Sequence, residues 1–528
     1  MEKNAFIDAL TSCDTFTENG AISNSTTKNI FVDQFGAISS YMNRNITSVF
    51  DDQEELWSKD IVKSLKFIFY IRAISRTTNV TLDGESKGSF VQKGQGMRDE
   101  TFKRLLWVAQ NYPDIFYDNI ELLPIVGSWK DIWEIMWYNH ELGLKVINHK
   151  KLFALIANGL ACKETCDLVK KYMPSLSSSN KQKSPRSCFM NIIGRDFMKF
   201  MGWDMKTYRK AKSSGKAHDF QKMISNGLFD KLNWNHIPGK ALTKIVASKF
   251  IINHNLTSSY EEWIDKQDDV KFTGHAYELG YVLNHNNLFK HQEHTLNKQF
   301  EHLVKCTKEN TTFSGNVWCA LDTSGSMTWS YDGRKITPYD VCTSLGVFFS
   351  TLNDGAFHKQ VIMFDSTSYT KQLSGTFCQM MKQIPRDAMG GTNFLSVIKR
   401  IVEIRKNNPS IPLEDYPQTL LVVSDMQFNA TGGLDTNYQR SKTMLLEVFP
   451  QEFVDNFKFV WWNVATSVKD YPSQINDGGT FLLSGFDGSI ISLLLGEEIS
   501  KKEKKTPKTM VELVDAALNQ EIFNFLKV

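Results

Sequence analysis

The stretch Val317-Trp-Cys-Ala-Leu-Asp322-Thr-Ser324-Gly-Ser326-Met327 decides the fold, because an apolar strand there runs directly into Asp322-x-Ser324-x-Ser326. Two hydroxyls and a carboxylate at alternate positions just past a strand's carboxyl end can converge on a hard cation, which takes oxygen ligands and keeps several waters. Two downstream pieces complete the outline. Gly390-Gly391-Thr392-Asn393 opens a helix predicted from Phe394 to Arg405, which puts the Thr392 hydroxyl at a loop tip, and Leu420-Leu-Val-Val-Ser424-Asp425 reads as a buried strand ending in a carboxylate. Ligands gathered from the ends of separate strands form a site at the carboxyl edge of an open α/β sheet. The same serines could instead do no more than cap the turn that follows.

Outward from this stretch, strands are predicted at 316–321, 360–364, 420–424, 457–464 and 481–483, with helices at 338–351, 394–405, 438–448 and 488–495 between and after them. Apolar strands alternating with helices call for a doubly wound parallel sheet covered on both faces. In this order and spacing, Asp322-x-Ser324-x-Ser326, Thr392 and Asp425 resemble the metal-ion-dependent adhesion site of von Willebrand factor A domains, with no element missing, over roughly residues 316–500. The resemblance implies a Rossmann-like α/β domain that binds Mg2+ or Mn2+. Ser324 and Ser326 would be direct ligands, Thr392 a direct or water-mediated one, and Asp322 and Asp425 would act largely through water. One position would stay open for a partner's carboxylate or another anionic oxygen.

Upstream the periodicity changes. From Gln53 to about Lys305 the apolar spacing is helical, as in Leu56, Ile61, Leu65, Ile68 and Phe69, and again in Phe102, Leu105, Leu106 and Val108. Asn111-Tyr-Pro113, Gly127-Ser128, Gly202 and Pro238-Gly239 punctuate the helices, and strand-like alternation is scarce. A series of helical pairs fits an all-α, HEAT-like solenoid. The chain therefore divides into an extended lead-in (1–50), a helical-repeat module (51–310), the α/β domain (311–500), and a Lys-rich linker with a last helix predicted from Met510 to Phe525 (501–528).

Three segments of the helical module carry a second resemblance. Phe69-Tyr-Ile-Arg72-Ala-Ile-Ser-Arg76, Gly94-Gln-Gly96-Met-Arg98-Asp-Glu100 and Leu123-Pro124-Ile-Val-Gly127-Ser128-Trp129-Lys130-Asp131 resemble the opening of the Ro autoantigen (TROVE) class and its uncharacterised plant, fungal and viral relatives. Those proteins join a helical-repeat module to a C-terminal von Willebrand A domain in the same order. The resemblance implies a ring or curved array whose basic surfaces hold non-coding RNA, including single-stranded ends of structured or misfolded transcripts, with Arg72, Arg76, Arg98 and Lys130 as candidate contacts. The helical part here, 51–310, is shorter than in the animal Ro proteins. Arg72 and Arg76, read as one helical turn apart, could equally pair with Asp83, Asp99 or Glu100 and hold the repeats together.

Charge gives a reading independent of either resemblance. The net charge is only +3, yet residues 141–250 hold 21 Lys and Arg against 7 Asp and Glu, so the remainder of the chain is acidic. A local positive field attracts polyanions; the alternative is a solvated helical face balanced in space by acidic neighbours. The polar loop Ser175–Ser187 carries Lys181, Lys183 and Arg186, and Arg195, Lys199, Lys206, Arg209, Lys210, Lys212 and Lys216 follow with Phe197, Phe200, Trp203 and Tyr208 between them. Cations interleaved with aromatics suit single-stranded nucleic acid, since cations meet phosphates while rings stack on bases. For Phe197, Phe200 and Trp203 a place in the helices' core is the preferred reading, with only the cations facing water.

Other classes are set aside on composition and motif. No run of 18 apolar residues is present, so no transmembrane helix and no membrane partner are expected. The opening MEKNAFIDALTSCDTFTENG lacks the continuous apolar core of a signal peptide, which points to an intracellular, cytoplasmic protein. Eight dispersed cysteines suit reduced core thiols better than a disulfide framework, and neither Cys162-x3-Cys166 nor His291-x2-His294 makes a credible zinc site. With no phosphate loop, nucleophile elbow or HExxH motif, a binding role is expected rather than an enzyme. The leading reading is an RNA-binding ribonucleoprotein component whose A domain docks a protein partner. The alternative is a scaffold or particle protein without RNA; an Asn-, Lys- and Phe-rich composition is compatible with a viral source and a place in the virion.

Overall fold

The computed structural model describes residues 15–41, 44–176, 184–215, 219–310, 316–329, 336–385, 390–433, 435–465, 470–488, 494 and 507–528. Its strands in chain order are β1 (Thr15–Phe16), β2 (Ile22–Ser23), β3 (Ile74–Leu82), β4 (Glu85–Gln95), β5 (Val317–Asp322), β6 (Gln360–Phe364), β7 (Ser368–Gln372), β8 (Thr419–Ser424), β9 (Lys458–Asn463) and β10 (Thr480–Ser484). A helical part precedes a mixed sheet with mostly parallel strands. The chain forms two compact units, Met1–Met42 with Ile237–Ala516 and Asn43–His236 with Ala517–Val528. These units do not coincide with the segments read from the sequence: the helices between Gly239 and Asn310 group with the sheet, and the last residues group with the earlier helices.

The sheet unit is built on the order β10-β9-β8-β5-β6-β7, parallel throughout except for the antiparallel edge strand β7. Every residue of β5 and β8 is buried, as continuous apolar runs must be when helices cover both faces. Helix Pro338–Leu352 connects β5 to β6. It starts on a capping box in which the Thr337 hydroxyl accepts from the Asp340 N–H and the Asp340 carboxylate accepts from the Thr337 N–H. Gly346 lets this helix lie close on β5, since a Cβ there would stand 2.3 Å from a Leu321 methyl. From β5 the chain moves to β6 on one side, and from β8 to β9 and β10 on the other. The strand order therefore reverses between β5 and β8, the switch point at whose carboxyl ends open α/β sheets form a crevice.

The expected strands are present with ends shifted by a residue or two, but β7 was not foreseen because Ser-Tyr-Thr-Lys-Gln is a half-exposed edge with no apolar run. The expected helix at 488–495 lies almost wholly outside the described residues. The lead-in is more structured than anticipated. Asn29 accepts from the Phe31 and Val32 N–H groups and caps helix Ile30–Gly36, which buries Phe31, Val32 and Phe35 within the sheet unit.

The helical unit opens with helices Ile46–Lys59 and Ile61–Arg72, continues through Asp99–Asn111 and Lys130–Glu141, and reaches Pro185–Phe200 and Met205–Ser214. The scarcity of strand read from the sequence needs correction here. Arg72 ends its helix, and β3 and β4 form an antiparallel hairpin, so Arg76 lies on a strand rather than one helical turn after Arg72. The turn at Asp83 and Gly84 has φ of 52° and 76°, the left-handed pair that a two-residue hairpin turn requires. Gly94 lets β4 approach the helix end, because a Cβ there would stand 2.3 Å from the Tyr70 carbonyl oxygen. The single last helix expected from Met510 to Phe525 divides into Met510–Leu518 and a 3-10 turn at Glu521–Phe525. Gln520 closes this tail onto β4, accepting from the Lys93 N–H at 2.6 Å and donating to the Lys93 carbonyl at 3.0 Å. Among the described residues no helix is long and apolar enough to cross a membrane.

Candidate cation site and cationic surface

Asp322 is the last residue of β5 and Asp425 follows the last residue of β8, so two neighbouring strands deliver both carboxylates to the crevice. Asp322 is fully buried; it accepts from the Ser324 N–H at 2.9 Å and from the Ser424 hydroxyl at 2.5 Å. The Ser324 and Ser326 hydroxyls stand 3.2 Å apart. Asp425 accepts from the Gln427 N–H at 3.1 Å and interacts with the Ser326 hydroxyl. The loop carrying Thr392 is tied to both neighbours. The Gly325 N–H donates to the Gly390 carbonyl at 3.4 Å, the Thr392 N–H to the Asn429 side chain at 2.9 Å, and the Asn429 N–H to the Thr392 carbonyl at 2.8 Å. All five expected residues thus belong to one connected cluster.

Burial, reinforced by Asp425, pushes the Asp322 carboxyl up to about 7, and burial also raises Asp425. The influences opposing this are hydroxyl and backbone N–H groups, and among the described residues neither carboxylate has an ion-pair partner. Two buried acids and the two serine hydroxyls hydrogen-bonded to them form a donor set of hard oxygens, which fits Mg2+ or Mn2+ and not a soft metal. Among the described residues there is no group of three His, Cys, Asp or Glu able to hold a metal. His291 and His294 face Glu261 and Asp265 instead.

Several residues of the cluster were not singled out from the sequence. Ser424 orients Asp322, and Asn429 holds the Thr392 loop. Met426 is buried with φ of 63°, a left-handed conformation unusual for a side chain of this size, and it turns the chain so that the Gln427 N–H meets Asp425. From the far end of the sequence, the Asn19 side-chain amide donates to the Thr392 hydroxyl at 3.4 Å and to the Gln427 carbonyl at 2.6 Å. Ser424 had a local signal in the Val-Val-Ser-Asp run; Asn19, more than 370 residues away, had none.

The helical unit divides the expected RNA contacts. Arg72 is completely buried and its guanidinium is committed to Asp131, which corrects its assignment as a surface contact. Arg76 donates to the Ile125 and Gly127 carbonyls at 3.0 and 2.9 Å, and Arg98 donates to Asp131 at 2.9 Å. Lys130 and Arg186 both pair with Glu134. Lys212 is turned inward and donates to the Met173 carbonyl, and burial lowers its pKa. Arg195 is half-buried, and Lys181, Lys183 and Lys216 lie outside the described residues. Arg98, Lys130 and Arg186 stay half-exposed despite their pairing, and Lys199 and those on one face of helix Met205–Ser214 are the more exposed cations. Tyr208 buries its ring there and donates to the Pro174 carbonyl at 2.9 Å, so Lys206, Arg209 and Lys210 face solvent. Phe197 is core, as preferred, and Trp203 is half-buried, whereas Phe200 is 44% exposed and packs on Phe153 and Phe197.

Residues 317–524 match a family described as a domain of unknown function, DUF7788, beginning at β5. An uncharacterized protein of Acanthamoeba polyphaga mimivirus is 23% identical over 529 residues, covering 92% of this chain and 85% of that protein. Among solved structures, the Deinococcus radiodurans RO (RSR) protein is similar with a TM-score of 0.42 and 13% identity, covering 74% of this chain and 86% of that one.

Proposed function

We propose that the protein is an RNA-binding ribonucleoprotein component in which the helical unit, a HEAT-like repeat array, holds structured or single-stranded non-coding RNA. The sheet unit is a von Willebrand A-like module that binds Mg2+ or Mn2+ and docks a partner's carboxylate. The observation that carries the reading is the convergence of Asp322, Ser324, Ser326, Thr392 and Asp425 at the switch point of the sheet. Ser324, Ser326 and Thr392 would hold the cation, with Asp322 and Asp425 supporting it. The cation would supply positive charge to a buried carboxylate pair and an attraction for an incoming anionic oxygen. The role is binding, with the protein as an intracellular component. RNA binding rests on the outward face of Lys206, Arg209 and Lys210, with Phe200 as an exposed ring of the same unit.

A second reading, a scaffold or particle protein without RNA, is favoured by a specific observation: Arg72, Arg98, Lys130 and Arg186 are engaged in ion pairs within the helical unit. Ultraviolet crosslinking of the full chain in its native source, followed by nuclease digestion and sequencing of the bound RNA, separates the two. Crosslinks mapping to 184–215 support the ribonucleoprotein; a preparation free of nuclease-sensitive material supports the scaffold.

A further inference from the structure

The cation site has a cover that belongs to the chain itself. The turn between β1 and β2 lies on the loop that follows Asp425, held by a hydrogen bond from nearly every residue. The Thr17 hydroxyl donates to the Phe428 carbonyl at 2.7 Å in a buried contact, and the Glu18 N–H donates to the Gln427 side chain at 2.6 Å. The Asn19 amide reaches the Gln427 carbonyl and the Thr392 hydroxyl, the Ala430 N–H donates to the Asn19 carbonyl at 3.3 Å, and Gly20 bridges to Asn429. Gly20, at φ of 80°, makes the reversal that brings the turn back into β2. These contacts join residues about 400 positions apart, so the turn is docked and not merely adjacent.

The chemistry of the turn is specific. It touches two parts of the candidate site, the Thr392 hydroxyl and the Asp425 loop, and presents an exposed carboxylate, Glu18, at its tip. Asp425 and Asp470 both feel the Glu18 charge. Gln427 is the joint: its side-chain oxygen accepts from Glu18 while its amide donates to Asp470 at 3.0 Å. A third acid near two buried ones pushes their carboxyl pKa values further up, a cost that a cation at the site would offset. Resting on the cation reading above, we propose that the Thr17–Gly20 turn is a resident strap over the site, with the Glu18 carboxylate as the chain's own anionic partner for the cation. An external carboxylate must displace it to dock.

The test uses the full chain and Mn2+ alone, with bound metal read by electron paramagnetic resonance and the strap read by hydrogen exchange. Glu18→Gln keeps the backbone hydrogen bond to Gln427 and removes only the charge, so the melting temperature in EDTA should match wild type. The Mn2+ affinity of Glu18→Gln is expected to fall about tenfold, the scale on which outer-sphere partners act on metal sites. Mn2+ should slow exchange across 15–24 in the wild type and not in the variant. Equal affinity and equal added protection in both proteins would overturn the strap while leaving the site intact, provided Asp322→Ala abolishes binding. No Mn2+ binding by the wild type would overturn the site and the strap together.

Discussion

Two pairs of acidic and basic side chains show how a residue's role depends on what its burial leaves unpaired. Arg72 sits on Asp131 with both side chains fully buried, and Gly127 alone makes room for the pair, since a Cβ there would stand 2.3 Å from Asp131. Removing Arg72 takes from the buried Asp131 its only fully buried cation among the described residues and leaves it the half-exposed Arg98. Arg72→Met is therefore expected to cost about 3–5 kcal/mol, read as a lowered denaturation midpoint, whereas Arg98→Ala, at a side chain 44% exposed, should cost about 1 kcal/mol or less. A denaturation midpoint for Arg72→Met equal to wild type would show that the pair does not hold the unit together. The resemblance offered Arg72 as a candidate RNA contact and the sequence left open a structural pairing with Asp83, Asp99 or Glu100; the partner is Asp131, 59 residues on, which no local pattern singles out. The cation site was more legible. Asp322, Ser324 and Ser326 are local to one strand end, Asp425 closes a second apolar run and Thr392 sits in the Gly-Gly turn that opens a helix, so the alternation of strand and helix, together with the resemblance, gathered them. Glu18 and Asn19 were not legible, because a docked turn leaves no periodic mark.

Elements were legible where their apolar pattern is complete and were missed where it is not. The buried runs of β5 and β8 announce themselves, while β3 and β4 face water along much of their length and are marked mainly by the Thr-rich run of β3 ahead of Asp83-Gly84. That hairpin rests on a close approach at Gly94. Gly94→Ala is expected to destabilise the helical unit by about 1–3 kcal/mol, the usual range for overpacking, with β4 and the Gln520 contact losing hydrogen-exchange protection first. Unchanged exchange in β4 would mean the approach is not a constraint. Helix Met205–Ser214 separates its roles by face, which yields a sharper test than its overall charge. Changing Lys206, Arg209 and Lys210 together to Glu should lower RNA affinity without lowering the melting temperature. Lys212→Glu, by contrast, should lower the melting temperature, because its ammonium serves the Met173 carbonyl. An RNA affinity unaffected by the triple change would remove this face from the interface.

At the scale of the whole molecule, the chain joins a unit whose outward cations suit phosphate to a unit whose carboxyl-edge oxygens suit a divalent cation. RNA binding through the helical unit should be electrostatic. With about four to six phosphates neutralised and a slope near −0.7 per phosphate, affinity should fall about fiftyfold or more between roughly 50 and 200 mM salt. Filter binding across that range checks it, and a flat profile would favour the scaffold reading. The sheet unit bears the central claim, because its cluster is the most completely assembled feature of the protein. The most direct measurement is a Mn2+ titration of the full chain followed by electron paramagnetic resonance, in the wild type and in Asp322→Ala with Ser324→Ala. Saturable binding of one Mn2+ in the wild type, displaced by Mg2+ and lost in the double variant, is the predicted result. Binding that persists unchanged in the double variant, or none in the wild type at millimolar Mn2+, would contradict it.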